Sequence, residues 1–210
     1  MQSRHIKLQK GENIFFTSDM HFNHGNILKF CNRPWDDIKS MRLGLIDRWN
    51  SVVTNNDYVF NLGDFMFTGN DKDVKDIIDS LNGKNIYMIP GNHDNFKIKP
   101  ERVVPSADIV KLTVSAEDYK ERGWKYSTFE IWLCHYPLMT WPHRGNLRCF
   151  QLFGHIHSQI GKNEGFDQDL PLYDDQYDVG VDRNNWTPIQ LEELLACFNL
   201  LNGYERRGIN

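Results

Sequence analysis

The sequence predicts an α/β fold organised around a parallel sheet, in a single domain spanning residues 1–210. Two features of the chain point there. In the first half, short apolar runs alternate with amphipathic helical stretches, the pattern that buries a parallel sheet beneath helices. The apolar runs also end at clusters of metal- or proton-capable side chains: Asp19-Met20-His21, Gly63-Asp64, Gly91-Asn92-His93-Asp94, Cys134-His135 and Gly154-His155-Ile156-His157. Chemistry in such folds gathers in loops at the carboxyl ends of strands, and every cluster falls there.

Asn13 to Ser18 (NIFFTS) reads as a short buried strand delivering the first cluster. Gly25 to Cys31 reads as a short helix closed by Asn32-Arg33-Pro34. Asp36 or Asp37 opens a longer helix to about Asn50, with Ile38, Met41, Leu45 and Trp49 at helical spacing. Gly44 weakens that helix without forbidding it. Tyr58 to Leu62 is the next strand; Asp71 to Leu81 is an amphipathic helix ended by Asn82-Gly83, and Ile86 to Ile89 is a strand that leads into Gly91. Later strands are expected at Asp108–Val114, Phe129–Cys134, Arg148–Phe153 and Tyr177–Val181. The last helix is expected to start with Thr187 as N-cap, Pro188 in the first turn and Gln190 three residues after the cap.

Composition narrows the function. Hydrophobic residues are 40% and charged residues 25%, ordinary globular values. The net charge of −4 comes with no block of Lys and Arg, which argues against an extended nucleic-acid surface. A small phosphorylated substrate stays open, because bound cations bring positive charge of their own. Cys31, Cys134, Cys149 and Cys197 form no CxxC pair, so reduced thiols are expected. The opening MQSRHIKLQKGEN is polar, and no apolar run is long enough to cross a bilayer; a cytoplasmic location with no membrane partner is the simplest expectation.

Five of the eight histidines lie inside the clusters. Imidazole, carboxylate and a neutral amide oxygen together suit borderline divalent ions, and two such ions close together are a device for hydrolysing phosphate esters. Residues two apart in an extended strand point the same way, so Asp19 with His21, and His155 with His157, are expected to share a site. Taken singly, each of these residues is equally well read as a turn residue.

Taken in order, D-x-H, G-D, G-N-H-D, a lone His after a strand and G-H-x-H, the motifs closely resemble those of the calcineurin-like metallophosphoesterases. The stretches HFNHGNILKFCNRPW (21–35), WNSVVTNNDYVFNLGD (49–64) and VGVDRNNWTPIQLEEL (179–194) are similar to a compact bacterial and phage branch. The resemblance implies two packed mixed β-sheets flanked by helices, a four-layer sandwich. It implies that Asp19, His21, Asp64 and His157 hold one divalent metal and that Asp64, Asn92, His135 and His155 hold the other. His93 would then be free for proton chemistry at the phosphate and Asp94 would act as an orienting carboxylate. The activity implied is hydrolysis of phosphomonoesters or phosphodiesters by a metal-activated hydroxide. Manganese is the most natural metal, with iron, nickel or zinc as alternatives.

Small nucleotide-like substrates are favoured over phosphoproteins, because Gly63-Asp64 runs on as Phe65-Met66-Phe67-Thr68-Gly69 and lacks the GDxxDRG extension of protein phosphatases. The competing reading is a catalytically silent binding module on the same fold. Around the clusters, His24 and Arg33 are candidate substrate contacts, Arg33 being equally ready to pair with Asp36 or Asp37 on the surface. Trp141, His143 and Arg144 either line the substrate mouth or belong to a surface loop whose Trp covers core. The acidic stretch Lys162–Asp178 reads as a solvated loop or a lid, and Asp182 as a tie for the final turn.

Overall fold

A computed structural model describes residues 1–67, 69–95, 101–158 and 172–202. In chain order the strands are β1 (Gln2–Leu8), β2 (Ile14–Thr17), β3 (Tyr58–Asn61), β4 (Asn85–Met88), β5 (Val103–Pro105), β6 (Ile109–Ala116), β7 (Thr128–Cys134), β8 (Cys149–Phe153), β9 (Gln176–Asp178) and β10 (Ile189–Gln190). The helices are α1 (Ile27–Phe30), α2 (Ile38–Val52), α3 (Asp71–Ser80) and α4 (Leu191–Cys197).

Alternation within β2, β3 and β4 makes two layers of core. Phe16, Phe60 and Tyr87 point to one side, where Phe60 stacks on Tyr87 at 4.4 Å, and meet Val110, Leu112, Ile131, Leu133, Phe150 and Leu152. Phe15, Val59 and Ile86 point to the other side and are covered by Met41, Leu45 and Trp49 of α2 and Val74, Ile77 and Ile78 of α3. Strands buried on both faces read as continuous apolar runs, as these do. The result is two mixed sheets packed face to face and flanked by helices, in the orders β10-β2-β3-β4-β5 and β1-β6-β7-β8-β9. Strands β2 to β5 run parallel, β10 runs antiparallel at their edge, and β6 runs antiparallel to β7. The outer face of the second sheet is covered by the loop after β7, with Trp141 packed on Trp132 and Cys149.

Several expectations shift. The polar amino terminus is an edge strand that pairs with β6 in parallel over Gln2–Leu8. Only Ile6 and Leu8 of it turn inward, too few to reveal a strand. The final helix starts at Leu191 rather than at Pro188, because Ile189 and Gln190 pair with Phe16 and Phe15 of β2. The capping role passes to Gln190, whose N–H donates to Glu193 at 3.2 Å. Ile38 is 40% exposed and leaves the α2 stripe to Met41, Leu45 and Trp49. Asp37 caps α2 through the Ser40 N–H at 2.7 Å, as the sequence suggests. In the acidic stretch Lys162–Asp178, the part before Leu172 lies outside the described residues. No described helix is long and apolar enough to cross a membrane.

Gly44 has a packing reason. A Cβ there would lie 2.5 Å from Cε2 and 2.8 Å from Cζ2 of the Trp35 indole, which lies against the helix at that point. Gly to Ala in an ordinary helix interior stabilises by about 1 kcal/mol. Here Gly44→Ala is expected to destabilise by about 1–3 kcal/mol through overpacking, measured by chemical denaturation; a gain in stability would show that Trp35 does not lean on the helix.

Candidate metal centre

The carboxyl ends of β2, β3 and β4 from one sheet meet those of β7 and β8 from the other. Backbone hydrogen bonds tie the strand ends within each sheet, Asp19 N–H to Gly63 O (3.0 Å) and Gly154 N–H to His135 O (2.9 Å), and Val181 N–H to Ser18 O (3.1 Å) links one sheet to the other. The His155 N–H donates to both carboxylate oxygens of Asp19, at 3.1 and 3.0 Å. Asp19, His21, Asp64, His155 and His157 all have positive φ, between 48° and 73°. Asp19 with His21, and His155 with His157, therefore share a site through left-handed turns, not through the extended-strand alternation expected of them. Asp, Asn and His are the side chains best tolerated there, and each such residue still costs about 1–3 kcal/mol. At Gly63 the backbones also pass close: with φ of 103°, a Cβ on it would sit 2.6 Å from Gly91 Cα and 2.8 Å from His135 Nδ1.

Two donor groups are built from the expected ligands, and a third, Cys31, His157 and Asp182, shares His157 with the first. Asp19, His21 and His157 offer ligand atoms within 4.8 Å of one another, and so do Asp64, His135 and His155. Asp64 lies between the two groups, its Oδ2 being 3.5 Å from His21 Nε2 and 3.4 Å from His135 Nε2. Asn92 Oδ1 comes within 3.1 Å of His135 Nε2. The Leu62 carbonyl only accepts, so His135 Nδ1 donates to it at 2.8 Å and keeps its proton there. Nε2 is thereby the nitrogen turned toward Asp64 and Asn92. His21 Nε2 is buried and has no hydrogen-bond partner. A bare imidazole nitrogen aimed at carboxylates, with clustered oxygen and nitrogen donors, fits divalent metal ions.

The electrostatics express the crowding. Burial raises the Asp19 carboxyl, against the opposing charge of His157. Burial also works to raise Asp64, but its hydrogen bond to His135 and that ring's charge hold it at about 2. His21 is driven down to about 2 by burial and by the charge of His157. Burial would lower His157 as well, yet the Asp19 charge and the Asp182 hydrogen bond lift it to about 11. His155 is lowered by burial and by His135.

His93 and His24 stand beside both groups without belonging to either. The His93 ring lies 5.4 Å from that of His21, and its backbone N–H donates to Asp64 Oδ1 at 2.9 Å. His24 lies 5.2 Å from the His21 ring and stacks on Phe67 at 3.9 Å. Asp94, expected as an orienting carboxylate, faces the backbone of the cluster loops. Its carboxylate accepts the backbone N–H groups of Asp64, Phe65, Met66 and Gly91, at 2.8 to 3.4 Å, and so fastens two cluster loops together.

Arg33 neither faces a phosphate pocket nor pairs with Asp36 or Asp37. It is buried, with two hydrogen bonds to Asp182 (2.8 and 2.9 Å) and one each to the carbonyls of Asp19 and Met20. Trp141, His143 and Arg144 are not brought to the donor groups. Trp141 is buried on the outer face of the second sheet, and Arg144 pairs with Asp175 while lying 3.4 Å over the Tyr173 ring. His143 pairs with Glu130 at 2.9 Å. Glu130 is five residues before His135 along β7, roughly 16 Å at an extended rise. Asp182, which reads in the sequence as a tie for the final turn, reaches the site: its Oδ2 accepts from His157 Nδ1 at 2.7 Å. Cys31 Sγ lies 3.4 Å from the same nitrogen. Asp178, fully buried and raised to about 6 by burial and by the charge of Asp19, accepts from the backbone of Ser158 and Gly180. Nothing in the spacing of these residues marked them; only the convergence of β9 on β2 does.

Residues 12–195 match the family model described as calcineurin-like phosphoesterase. An uncharacterized protein of Methanocaldococcus jannaschii is 45% identical over 84 residues, which is 40% of this chain and 47% of the relative. The chain thus matches about half the length of that curated relative. Among solved structures, a protein of unknown function from Aquifex aeolicus has a TM-score of 0.59 at 22% identity, covering 88% of this chain and 98% of its own. A Vps29 single mutant from Entamoeba histolytica has a TM-score of 0.37 at 14% identity, covering 80% of this chain and 72% of its own.

The raised His157 has a consequence for stability. Its folded value of about 11 exceeds the ordinary 6.5, so its contribution is fully present below the ordinary value and is lost as pH rises toward about 11. Chelator-treated protein should therefore lose stability from about pH 7 to about pH 10 more steeply than the His157→Gln chain. Parallel denaturation profiles for the two chains would show that His157 carries no proton in the metal-free state.

Proposed function

This chain belongs to the calcineurin-like phosphoesterase family, and from that premise we propose that it is a hydrolase of phosphomonoesters or phosphodiesters that uses two divalent ions. The observation that carries this reading is the pair of donor groups meeting at Asp64, with a buried His21 nitrogen that has no hydrogen-bond partner. Asp19, His21, Asp64 and His157 would hold one ion, and Asp64, Asn92, His135 and His155 the other. When bound, such ions supply Lewis acidity toward phosphate oxygens and an easily ionised water.

The rest is the work of the chain itself. Asp64 and Asp19 bring two negative charges to a site that would bring four positive ones, which leaves a net attraction for a phosphate group. His93 is half-buried and outside both donor groups, with its backbone anchored on Asp64; it would give a proton to the leaving oxygen. His24, stacked on Phe67 next to His21 and His93, would contact the substrate. Four imidazole ligands make manganese, iron, nickel or zinc more natural than magnesium. The substrate class we favour is a small nucleotide-like phosphoester. All four cysteines are free thiols, which suits the reducing cytoplasm.

The test is hydrolysis of a bis-aryl phosphate by Mn²⁺-loaded protein, with a chelated control. Activity should vanish on chelation and return with metal. His93→Ala should retain its metal yet lose about 10²–10⁴-fold in rate on esters with poor leaving groups, and less on nitrophenyl esters, whose departure needs no proton. A metal-loaded protein that turns over none of a panel of mono- and diesters would instead be a binding module, and equal losses on both kinds of ester would remove His93 as proton donor.

A further inference from the structure

Asp182 and Arg33 lie outside the two groups that share Asp64, yet they tie together two members of the first, Asp19 and His157. All five N–H groups of the Arg33 fork have acceptors: Nε and Nη2 meet the two Asp182 oxygens, Nη2 also meets Asp19 O (2.7 Å), and Nη1 meets Met20 O (2.8 Å) and Met41 Sδ (3.6 Å). Side-chain exposure is 0% for Arg33 and 1% for Asp182, so solvent does not compete for this pair. Asp182 then uses Oδ2 to accept from His157 Nδ1 at 2.7 Å. The opposite nitrogen of that ring, Nε2, faces Asp19 Oδ1 at 3.8 Å.

We propose that Arg33 and Asp182 are positioning residues for the Asp19–His21–His157 half of the centre, acting through His157. The reasoning is geometric and rests on the two-ion reading above. A hydrogen bond at Nδ1 fixes the ring plane and confines the proton to that nitrogen, which leaves Nε2 as the ligand atom. Arg33 holds Asp182 with both oxygens engaged and, with the same nitrogen, holds the carbonyl of Asp19. One guanidinium thus sets the separation between a carboxylate from the end of β2 and an imidazole from the end of β8. A lysine, with a single charged point, cannot span these acceptors. The other half of the centre has its own anchor, since His135 is oriented by the Leu62 carbonyl. The two halves are therefore oriented independently, and damage to Asp182 should be confined to one of them.

The experiment is Mn²⁺ titration of the full chain by calorimetry, with stoichiometry confirmed by metal analysis, on the native sequence, Asp182→Asn, Arg33→Lys, His157→Ala and the Asp182→Asn/His157→Ala double variant. The native chain should bind two ions. Asp182→Asn and Arg33→Lys should weaken one of the two by about 10–100-fold and leave the other unchanged. In the His157→Ala background, Asp182→Asn should have no further effect, because the residue it acts through is gone. A purely structural role would lower both affinities together, or add its full effect in the double variant, and either result overturns the proposal. Unchanged affinities in both single variants overturn it too. If Asp182→Asn melts before titration, Arg33→Lys decides the matter by the same criterion of one weakened ion. A native chain that binds fewer than two ions removes the two-ion reading and this proposal with it, whereas two ions bound with native affinities by Asp182→Asn and Arg33→Lys remove this proposal alone.

Discussion

Two carboxylates, Asp19 and Asp64, sit almost sealed from water where the ends of two sheets meet. Burying charge without compensation is prohibitive, and the surrounding structure consists largely of the compensation. Asp19 is met by two hydrogen bonds from one backbone N–H and by the charge of His157; Asp64 is met by the His93 N–H and by rings from both sides. The same close approach obliges Gly63 to lack a side chain. It also explains why so many donor residues adopt left-handed backbone: a turn immediately after a strand swings consecutive side chains into one small volume.

The energetics of this arrangement run against local preference. Five non-glycine residues with positive φ, and an imidazole without a hydrogen-bond partner, are each unfavourable alone. They persist because the two layers of core on either side of β2, β3 and β4 are continuous and rigid, and because Asp94 and Arg33 draw on charged hydrogen bonds to hold the loops down. Strain of this kind collects where a scaffold over-determines a few residues, which is the usual condition of a site prepared for a ligand.

Much of this was legible in the chain. The strands β2, β3 and β4 are apolar on both faces, so their runs stand out, and the cluster residues announce themselves by type and by position after those runs. The elements that escaped notice are the ones with weak patterns. Strand β1 has only Ile6 and Leu8 inward, β5 is three residues long, and β10 takes residues that by capping chemistry belonged to the last helix. Trp141, His143 and Arg144 follow His135 closely in sequence, but the chain turns back along the outer face of the sheet and carries them away. Asp182 and Asp178 were invisible for the opposite reason. Their partners at the site come from other elements, and no periodicity encodes a contact across about 150 residues such as that between Arg33 and Asp182.

The placement of the first donor group carries a mechanical implication. Asp19 and His21 hang from one sheet and His157 from the other, so no single sheet owns a complete set. The mouth of the sandwich therefore behaves as a gauge of alignment: a small shear of one layer over its neighbour would separate the donors before it disturbed either hydrophobic interior. An ion seated there would rivet the layers, and loosening of the joint and release of the ion would become a single event.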